Sequence, residues 1–253
     1  MKIKLIKKPK KPIIVEGFPG FGLVGTIACE FLVDHLNTEL IGKVLLEDEP
    51  AIVAIHKGKI IEPLSISYNK KYNLVIIHSM TATPGSEWKI SDIIIAIAKE
   101  LNAKEIVSLE SVNSNDIMGN PKTFYYTNDK KKDKIFRNIK LNQLKEGIIM
   151  GVSSALLLKV DKIPMSCIFA ETHTTLPDSK AAAEVIKVLD KYLDLKVDYK
   201  PLLETAKQFE NKLKEILQQS KQTIINRDKK ALSYVGWTLL VFLFLYFTFL
   251  LIR

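Results

Sequence analysis

The feature that most restricts this chain is an uninterrupted apolar segment near its C-terminal end. Residues 231–252 contain no charged side chain. At about 1.5 Å of rise per residue, a helix of this length crosses the ~30 Å hydrocarbon core of a bilayer. Tyr234 and Trp237 stand near its start, where aromatic side chains favour the membrane surface. The segment therefore predicts one transmembrane helix, and leaves about 230 residues to fold outside the bilayer.

The charges beside this segment predict its orientation. Arg227, Lys229 and Lys230 precede it and only Arg253 follows it, so the positive-inside rule places the preceding domain in the cytoplasm. The first twelve residues, MKIKLIKKPKKP, have no apolar stretch of the kind that a signal peptide needs. We therefore expect a tail-anchored, single-pass protein of the cell membrane with a cytoplasmic N-terminal domain.

The net charge of +9 is concentrated in three segments. Residues 1–12 carry six lysines and no acid, and residues 129–140 and 221–230 are also strongly basic, so the rest of the chain is slightly acidic. This pattern suits an anionic membrane surface. Because the chain has only three arginines and no stacking platform of aromatic residues interleaved with the lysines, we expect no nucleic-acid partner.

The apolar spacing in the first 200 residues alternates between strand and helix patterns. It predicts a single α/β domain with a mixed, largely parallel central sheet flanked by helices. Cys29 and Cys167 each lie in an apolar run and are interpreted as core thiols. The predicted divisions are a basic arm at 1–12, the α/β domain at 13–200, an amphipathic helix and basic stem at 201–230, and the transmembrane helix at 231–252.

A glycine-rich turn follows the first predicted strand and opens the first predicted helix. Residues 20–25 match G-x-G-x-x-G, which in this context is typical of a dinucleotide-binding turn. Glu47, which follows the next predicted strand, would then be the ribose-binding acid. The alternative is that the glycines only allow tight chain reversal and close packing of helix on sheet. The residues alone leave both interpretations open.

Other patterns of catalytic or metal-binding residues are missing from the sequence. The four histidines and two cysteines do not have the spacing of a metal site, and neither G-x-S-x-G nor a Walker A motif is present. We therefore expect no metal, no cofactor and no catalytic residue. Glu16, Glu87 and Glu171 are candidates to converge at the carboxyl edge of the sheet, where open α/β sheets place ligands.

Residues 17–25 read GFPGFGLVG, and this run resembles the G-x-P-G-x-G-L-V-G signature that opens the PAC2 family of proteasome assembly chaperone homologues. Thr83, Pro84 and Glu87 resemble its polar loop before a helix. Gly151 with residues 153–158 is similar to its second glycine-containing helix. Residues 170–172, followed by Pro177 and Asp178, are similar to its third block. The resemblance runs from about residue 10 to about residue 220.

The resemblance implies a fold related to nucleoside phosphorylases, homo-oligomers, and for some members docking on the α-ring of the 20S proteasome. Docking members carry a hydrophobic-Tyr-X tail, whereas this chain ends Leu251-Ile252-Arg253. We therefore predict a membrane-tethered, non-enzymatic binding protein, with 20S α-subunits as candidate partners. The alternative is a nucleotide- or nucleoside-binding enzyme or sensor at Gly20–Gly25, which requires a concave pocket there. The predicted binding surface comprises Gly17, Phe18, Pro19, Gly20, Phe21, Gly22, Gly25, Thr83, Pro84 and Glu87.

Overall fold

The computed structural model describes residues 2–47, 54–56, 59–62, 64–79, 85–113, 120–173 and 176–204. The strands are β1 Lys2–Leu5, β2 Ile13–Gly17, β3 Glu39–Leu45, β4 Ala54–His56, β5 Lys59–Ile61, β6 Leu64–Asn69, β7 Leu74–Ser79, β8 Glu105–Asn113, β9 Thr123–Thr127, β10 Asn142–Gln143 and β11 Met165–Thr172. The helices are α1 Val24–His35, α2 Glu87–Glu100, α3 Lys130–Asn138, α4 Val152–Lys159 and α5 Ser179–Leu193. The single 3-10 turn among these residues, Phe21–Leu23, leads into α1.

In the part of the chain that the structure describes, nine strands form one mixed sheet in the order β1-β3-β6-β7-β2-β8-β11-β9-β10. The four central strands, β7, β2, β8 and β11, are parallel to their neighbours within this group. The strands on the β1 side, and the β11–β9 pair, are antiparallel. The α/β class and the mixed sheet are confirmed, but the sheet is parallel at its centre rather than over most of its width. Consecutive strands joined by short turns, such as β6 and β7, can only pair antiparallel.

Helices cover both faces of the central strands. On one face, α1 and α5 bury apolar side chains against Val15, Val107 and Ile168. On the other face, α2 and α4 pack against Ile14 and Ile106 and their neighbours. Successive residues of β2 and β8 therefore serve opposite cores, as the two-residue period of a strand requires. Cys29 and Cys167 are both free and buried, which confirms their interpretation as core thiols.

The basic segment at 129–140 contains a helix that its charge pattern did not predict. Asp129 caps α3 by accepting hydrogen bonds from the backbone N–H groups of Lys131 and Lys132. Phe136 is fully buried and stacks between Tyr125 and Tyr192. Lys132 reaches the buried Glu105 at 2.5 Å, and the Tyr192 hydroxyl donates to the same carboxylate. The buried ring, the ion pair and a hydrogen bond from the Tyr125 hydroxyl to Asp133 at 2.7 Å thus attach a polar helix to the domain.

The two ends of the predicted organisation have different outcomes. The predicted basic arm begins with a strand, because β1 pairs antiparallel with β3 at the sheet edge. Residues 200–204 are helical, and the rest of the predicted 201–230 helix and the 231–252 segment lie outside the described residues. Among the helices that are described, none is long and apolar enough to cross a bilayer. The transmembrane helix stays a prediction.

Candidate functional site

The carboxyl ends of β7, β2, β8 and β11 lie at one edge of the sheet, and the glycine turn follows β2 at that edge. Two of its glycines lie in close backbone contacts. A Cβ on Gly17 would lie 2.3 Å from the carbonyl oxygen of Gly25, and a Cβ on Gly25 would lie 2.2 Å from the carbonyl oxygen of Leu109. These glycines allow the start of α1 to lie directly on the sheet. The packing interpretation of the motif therefore holds at both ends of the turn.

The middle of the turn is shaped by contacts with the following elements. Gly22 has a φ of +62°, and a Cβ there would lie 2.9 Å from Oγ1 of Thr172. The backbone N–H of Asp178 donates to the Gly22 carbonyl at 2.8 Å, while the Thr172 hydroxyl donates to the Asp178 carboxylate at 2.9 Å. Asp178 also caps α5 by accepting a hydrogen bond from the N–H of Ala181.

A buried polar cluster lies beneath this turn. Glu16 on β2 is fully buried and Glu110 on β8 is 6% exposed. The hydroxyl oxygen of Ser153, in the first turn of α4, lies 3.3 Å from Oε1 of Glu16 and 3.1 Å from Oε2 of Glu110. It also lies 2.6 Å from Oγ of Ser108. Two carboxyl groups from neighbouring strands thus share one serine.

Burial governs the ionisation of both carboxyl groups. Loss of solvation raises the pKa of Glu16 to about 8, and the charge of Glu110 adds to the rise against hydrogen bonds from Ser108 and Ser153. Burial likewise raises the pKa of Glu110 to about 7, opposed by hydrogen bonds from Ser111 and Ser153. A carboxyl group without solvent holds its proton because the charged form has lost its hydration.

The hydrogen bonds show how one proton can be held by this pair. Ser153 has a single hydroxyl proton, so it can donate to only one carboxylate. If it donates to Glu110, the contact with Glu16 is satisfied when Glu16 is protonated and donates to Ser153. Oε2 of Glu16 has no hydrogen-bond partner in the structure, which also disfavours an ionised Glu16. Between about pH 7 and pH 8, the arrangement therefore favours a neutral Glu16 and an ionised Glu110.

A cavity of about 310 Å³ opens beside the turn and reaches Glu110. Pro19, Gly20 and Phe21 form one side, and Ile148 and Met150 form another. A Cβ on Gly20 would lie 2.7 Å from Oε1 of Glu110, so glycine at this position leaves space beside the carboxylate. The cavity combines apolar walls with a few polar groups, which is the usual composition of a ligand pocket.

The model of the PAC2 family matches residues 14–217 of this chain. The chain belongs to the PAC2 family. An uncharacterised protein of Methanocaldococcus jannaschii is 27% identical over 241 residues, covering 92% of this chain and 98% of the relative. Membership confirms the assignment made from residues 17–25 and the two later blocks.

Solved PAC2-like structures agree with the fold. The crystal structure of Pyrococcus furiosus PbaA, an archaeal homolog of proteasome-assembly chaperone, has a TM-score of 0.77 and 29% identity, and the match covers 88% of this chain and 99% of that one. Pyrococcus furiosus PbaB, an archaeal proteasome activator, has a TM-score of 0.73 at 21% identity, covering 85% of this chain and 98% of the other. At that identity PbaB supports the fold alone.

The three sequence blocks of this PAC2 domain converge in space. Ser153 of the second block contacts Glu16 beside the first block, and Thr172 and Asp178 of the third block contact the Gly22 region. Of the predicted surface, Pro19, Gly20 and Phe21 line the cavity, while Phe18 is buried. Thr83 and Pro84 lie outside the described residues, as does most of the 81–87 loop.

The three acidic residues that the sequence suggested have different hydrogen-bond partners. Glu87 begins α2 and accepts the N–H of Gly85 at 3.2 Å, and Glu171 accepts the N–H of Lys122 at 3.3 Å. The carboxyl group that accompanies Glu16 is Glu110, which sequence reasoning missed. Its signal was a glutamate inside the apolar run IVSLESV. An acid in a buried strand is rare unless it is paired or functional.

The dinucleotide interpretation of the turn is wrong about Glu47 as the ribose-binding acid. Glu47 follows β3, and β3 is separated from β2 by β6 and β7, so Glu47 cannot take the position of a ribose-binding acid next to the turn. The cavity-lining residues that the structure describes include no lysine, arginine or histidine, so a phosphate there would face Glu110 without a counter-charge. Within the described ranges, no group of three or more His, Cys, Asp and Glu side chains is placed to hold a metal.

Proposed function

We propose that this chain is a PAC2-type binding protein that acts through protein–protein contacts, as a membrane-tethered homologue of proteasome-assembly chaperones. One observation carries the proposal: the chain is 29% identical to PbaA over 88% of its length, with a TM-score of 0.77. That neighbour is an archaeal homolog of a proteasome-assembly chaperone. The proposed partners are 20S α-subunits, and the chain would act as a homo-oligomer, without catalysis, on the cytoplasmic side.

The proposed contact surface is the glycine turn with the residues around it. Phe21 is 38% exposed at the centre of this turn, although it is a large apolar side chain. Its backbone is held in place, because its carbonyl oxygen accepts the hydroxyl of Ser111 at 2.8 Å. A fixed, exposed aromatic side chain is a common energetic centre of protein interfaces. The membrane tether would add to this contact by concentrating the partner locally.

An affinity purification from native lysate tests the proposal. We expect full-length protein in detergent and the 1–230 fragment both to recover 20S α-subunits, identified by mass spectrometry. The variant Phe21→Asp should reduce recovery at least tenfold, since a buried charge at an interface centre is costly. The matched control is Leu158→Asp, which alters an apolar side chain that is 73% exposed and lies outside the turn. Recovery of self-associated protein alone, from both forms, would contradict the proteasome assignment.

The proposed tether is tested separately by cell fractionation. Full-length protein should sediment with membranes and stay there after washing with high salt and alkaline carbonate, because 22 uncharged residues insert into the hydrocarbon core. The 1–230 fragment retains the basic stem and should be released by salt. Release of the full-length protein under the same washes would show that residues 231–252 do not anchor the chain.

A further inference from the structure

The cavity beside the glycine turn contains a carboxylate without a protein counter-charge. Glu110 is only 6% exposed and lines this cavity. Among the residues that the structure describes, no ion pair involves Glu110 or Glu16. This differs from Glu105 and Glu30, the other glutamates that are buried in the described part of the chain, which face Lys132 and His78. A buried charge without a partner is unfavourable, so the site gains free energy when a cation enters.

The hydrogen bonds at Glu110 leave acceptor positions open. The N–H of Ser111 donates to Oε1 at 2.9 Å, and Ser153 lies 3.1 Å from Oε2. The Ser111 hydroxyl lies 3.4 Å from Oε1, but its single proton goes to the Phe21 carbonyl at 2.8 Å. A carboxylate has about four acceptor positions, so about two remain available. A group with several N–H donors fits this remainder.

The residues that line the cavity indicate the polarity and the size of the rest of the ligand. Ile148 is 88% exposed, Met150 is 58% exposed and Phe21 is 38% exposed, and all three surround the same opening. Such exposed apolar side chains around a buried acid favour a ligand with an apolar body and one polar head. The volume of about 310 Å³ corresponds to roughly ten water molecules at ~30 Å³ each, so the ligand is small.

We propose that this cavity binds a small organic cation, in which a primary ammonium group contacts Glu110 and an apolar body lies against Phe21, Ile148 and Met150. The site shares Phe21 with the proposed proteasome contact, but ligand binding needs only the folded domain and no partner protein. Gly20 is part of it, because any larger residue there would bring a Cβ to 2.7 Å from Oε1 of Glu110 and occupy the position of the ammonium group.

Three probes of similar size and different charge test the proposal: benzylamine, benzyl alcohol and benzoate. Each is titrated into full-length protein in a non-ionic detergent at pH 8 and followed by saturation-transfer NMR. We expect benzylamine to bind at least tenfold more tightly than either of the others. Glu110→Gln should weaken benzylamine at least tenfold. The control Glu171→Gln makes the same change of charge on the neighbouring strand, outside the cavity lining, and should leave binding within twofold.

A second pair of variants avoids the buried cluster. Met150→Lys places a positive charge at the opening and should abolish benzylamine binding by like-charge repulsion, whereas Leu158→Lys, at an exposed position outside the cavity lining, should not. Equal affinities for benzylamine and benzyl alcohol would overturn the proposal, as would benzylamine binding that Met150→Lys leaves unchanged. Binding of adenosine in place of benzylamine would also overturn it. Because these titrations use purified protein, their outcome is separate from the recovery of proteasome subunits.

Discussion

Replacing Gly25 by alanine should destabilise the domain by about 3 kcal/mol. Gly25 lies in the first turn of α1, and a Cβ there would lie 2.2 Å from the carbonyl oxygen of Leu109 on β8. The contact is with backbone in a central strand, so no side chain can move aside to relieve it. The helix would have to move away from the sheet, which exposes its buried face, including Ile27, Ala28 and Phe31.

The sign of this effect separates the two interpretations of the glycine motif. Alanine in a helix is normally favoured over glycine by up to about 1 kcal/mol, so a glycine kept only for a ligand would give a stabilised variant. Gly17→Ala should be destabilising in the same way, because its Cβ would lie 2.3 Å from the Gly25 carbonyl. Gly147→Ala, which meets only side-chain atoms of Leu144 at 3.3 Å, is the control and should change stability by less than about 0.5 kcal/mol.

These changes are measured by chemical unfolding of the full-length protein in detergent, followed by circular dichroism. A Gly25→Ala variant as stable as the wild type would contradict the packing interpretation. That result would favour the ligand-binding interpretation, in which replacing Gly25 is expected to reduce ligand binding rather than stability.

The sequence predicts those helices and strands whose apolar spacing shows which of their faces are buried. The apolar runs of β2 and β7 and the helical spacing of α2 and α5 each reflect burial by neighbouring layers, so periodicity locates them within a few residues. The helix α3 was not predicted, because Phe136 is its only buried residue and a single apolar position shows no periodicity. The edge strand β1 was not predicted for a related reason. Its lysines indicated a basic arm, whereas they belong to a strand with one exposed side.

The partners across the sheet could not be predicted in the same way. Glu16 and Glu110 are 94 positions apart in the chain, and they meet because β2 and β8 are parallel neighbours. Ser153 joins them from a helix that follows a long, largely exposed segment. Such pairings depend on strand order, which local periodicity does not encode. The same limit explains Glu47, whose chain distance from the glycine turn suits a nucleotide fold but whose strand lies elsewhere in this sheet.

The stability of this domain should fall as the pH rises from 5 to 8, and Glu16→Gln should remove much of that fall. The pKa of Glu16 is about 8 in the folded domain, against an ordinary value of 4.5. Its contribution is therefore fully present below pH 4.5 and is lost as the pH rises through about 8, because the unfolded chain releases the proton first. Over pH 5 to 8 this amounts to about 4 kcal/mol for Glu16 alone. Glu110, with a pKa of about 7, acts in the same direction.

This contribution is measured from the unfolding free energies of wild type and Glu16→Gln at pH 5, 6, 7 and 8. It equals the difference between the two proteins in the slope of unfolding free energy against pH. The slope is the useful quantity, because the amide of Gln also places a donor where Oε2 of Glu16 has no partner, and that cost is the same at each pH. Glu171→Gln is the control, and its slope should equal that of the wild type. Parallel slopes for wild type and Glu16→Gln would mean that Glu16 is already ionised at pH 5. The shared proton between β2 and β8 would then be absent, and Glu110 would have a second negative charge beside it rather than a neutral acid.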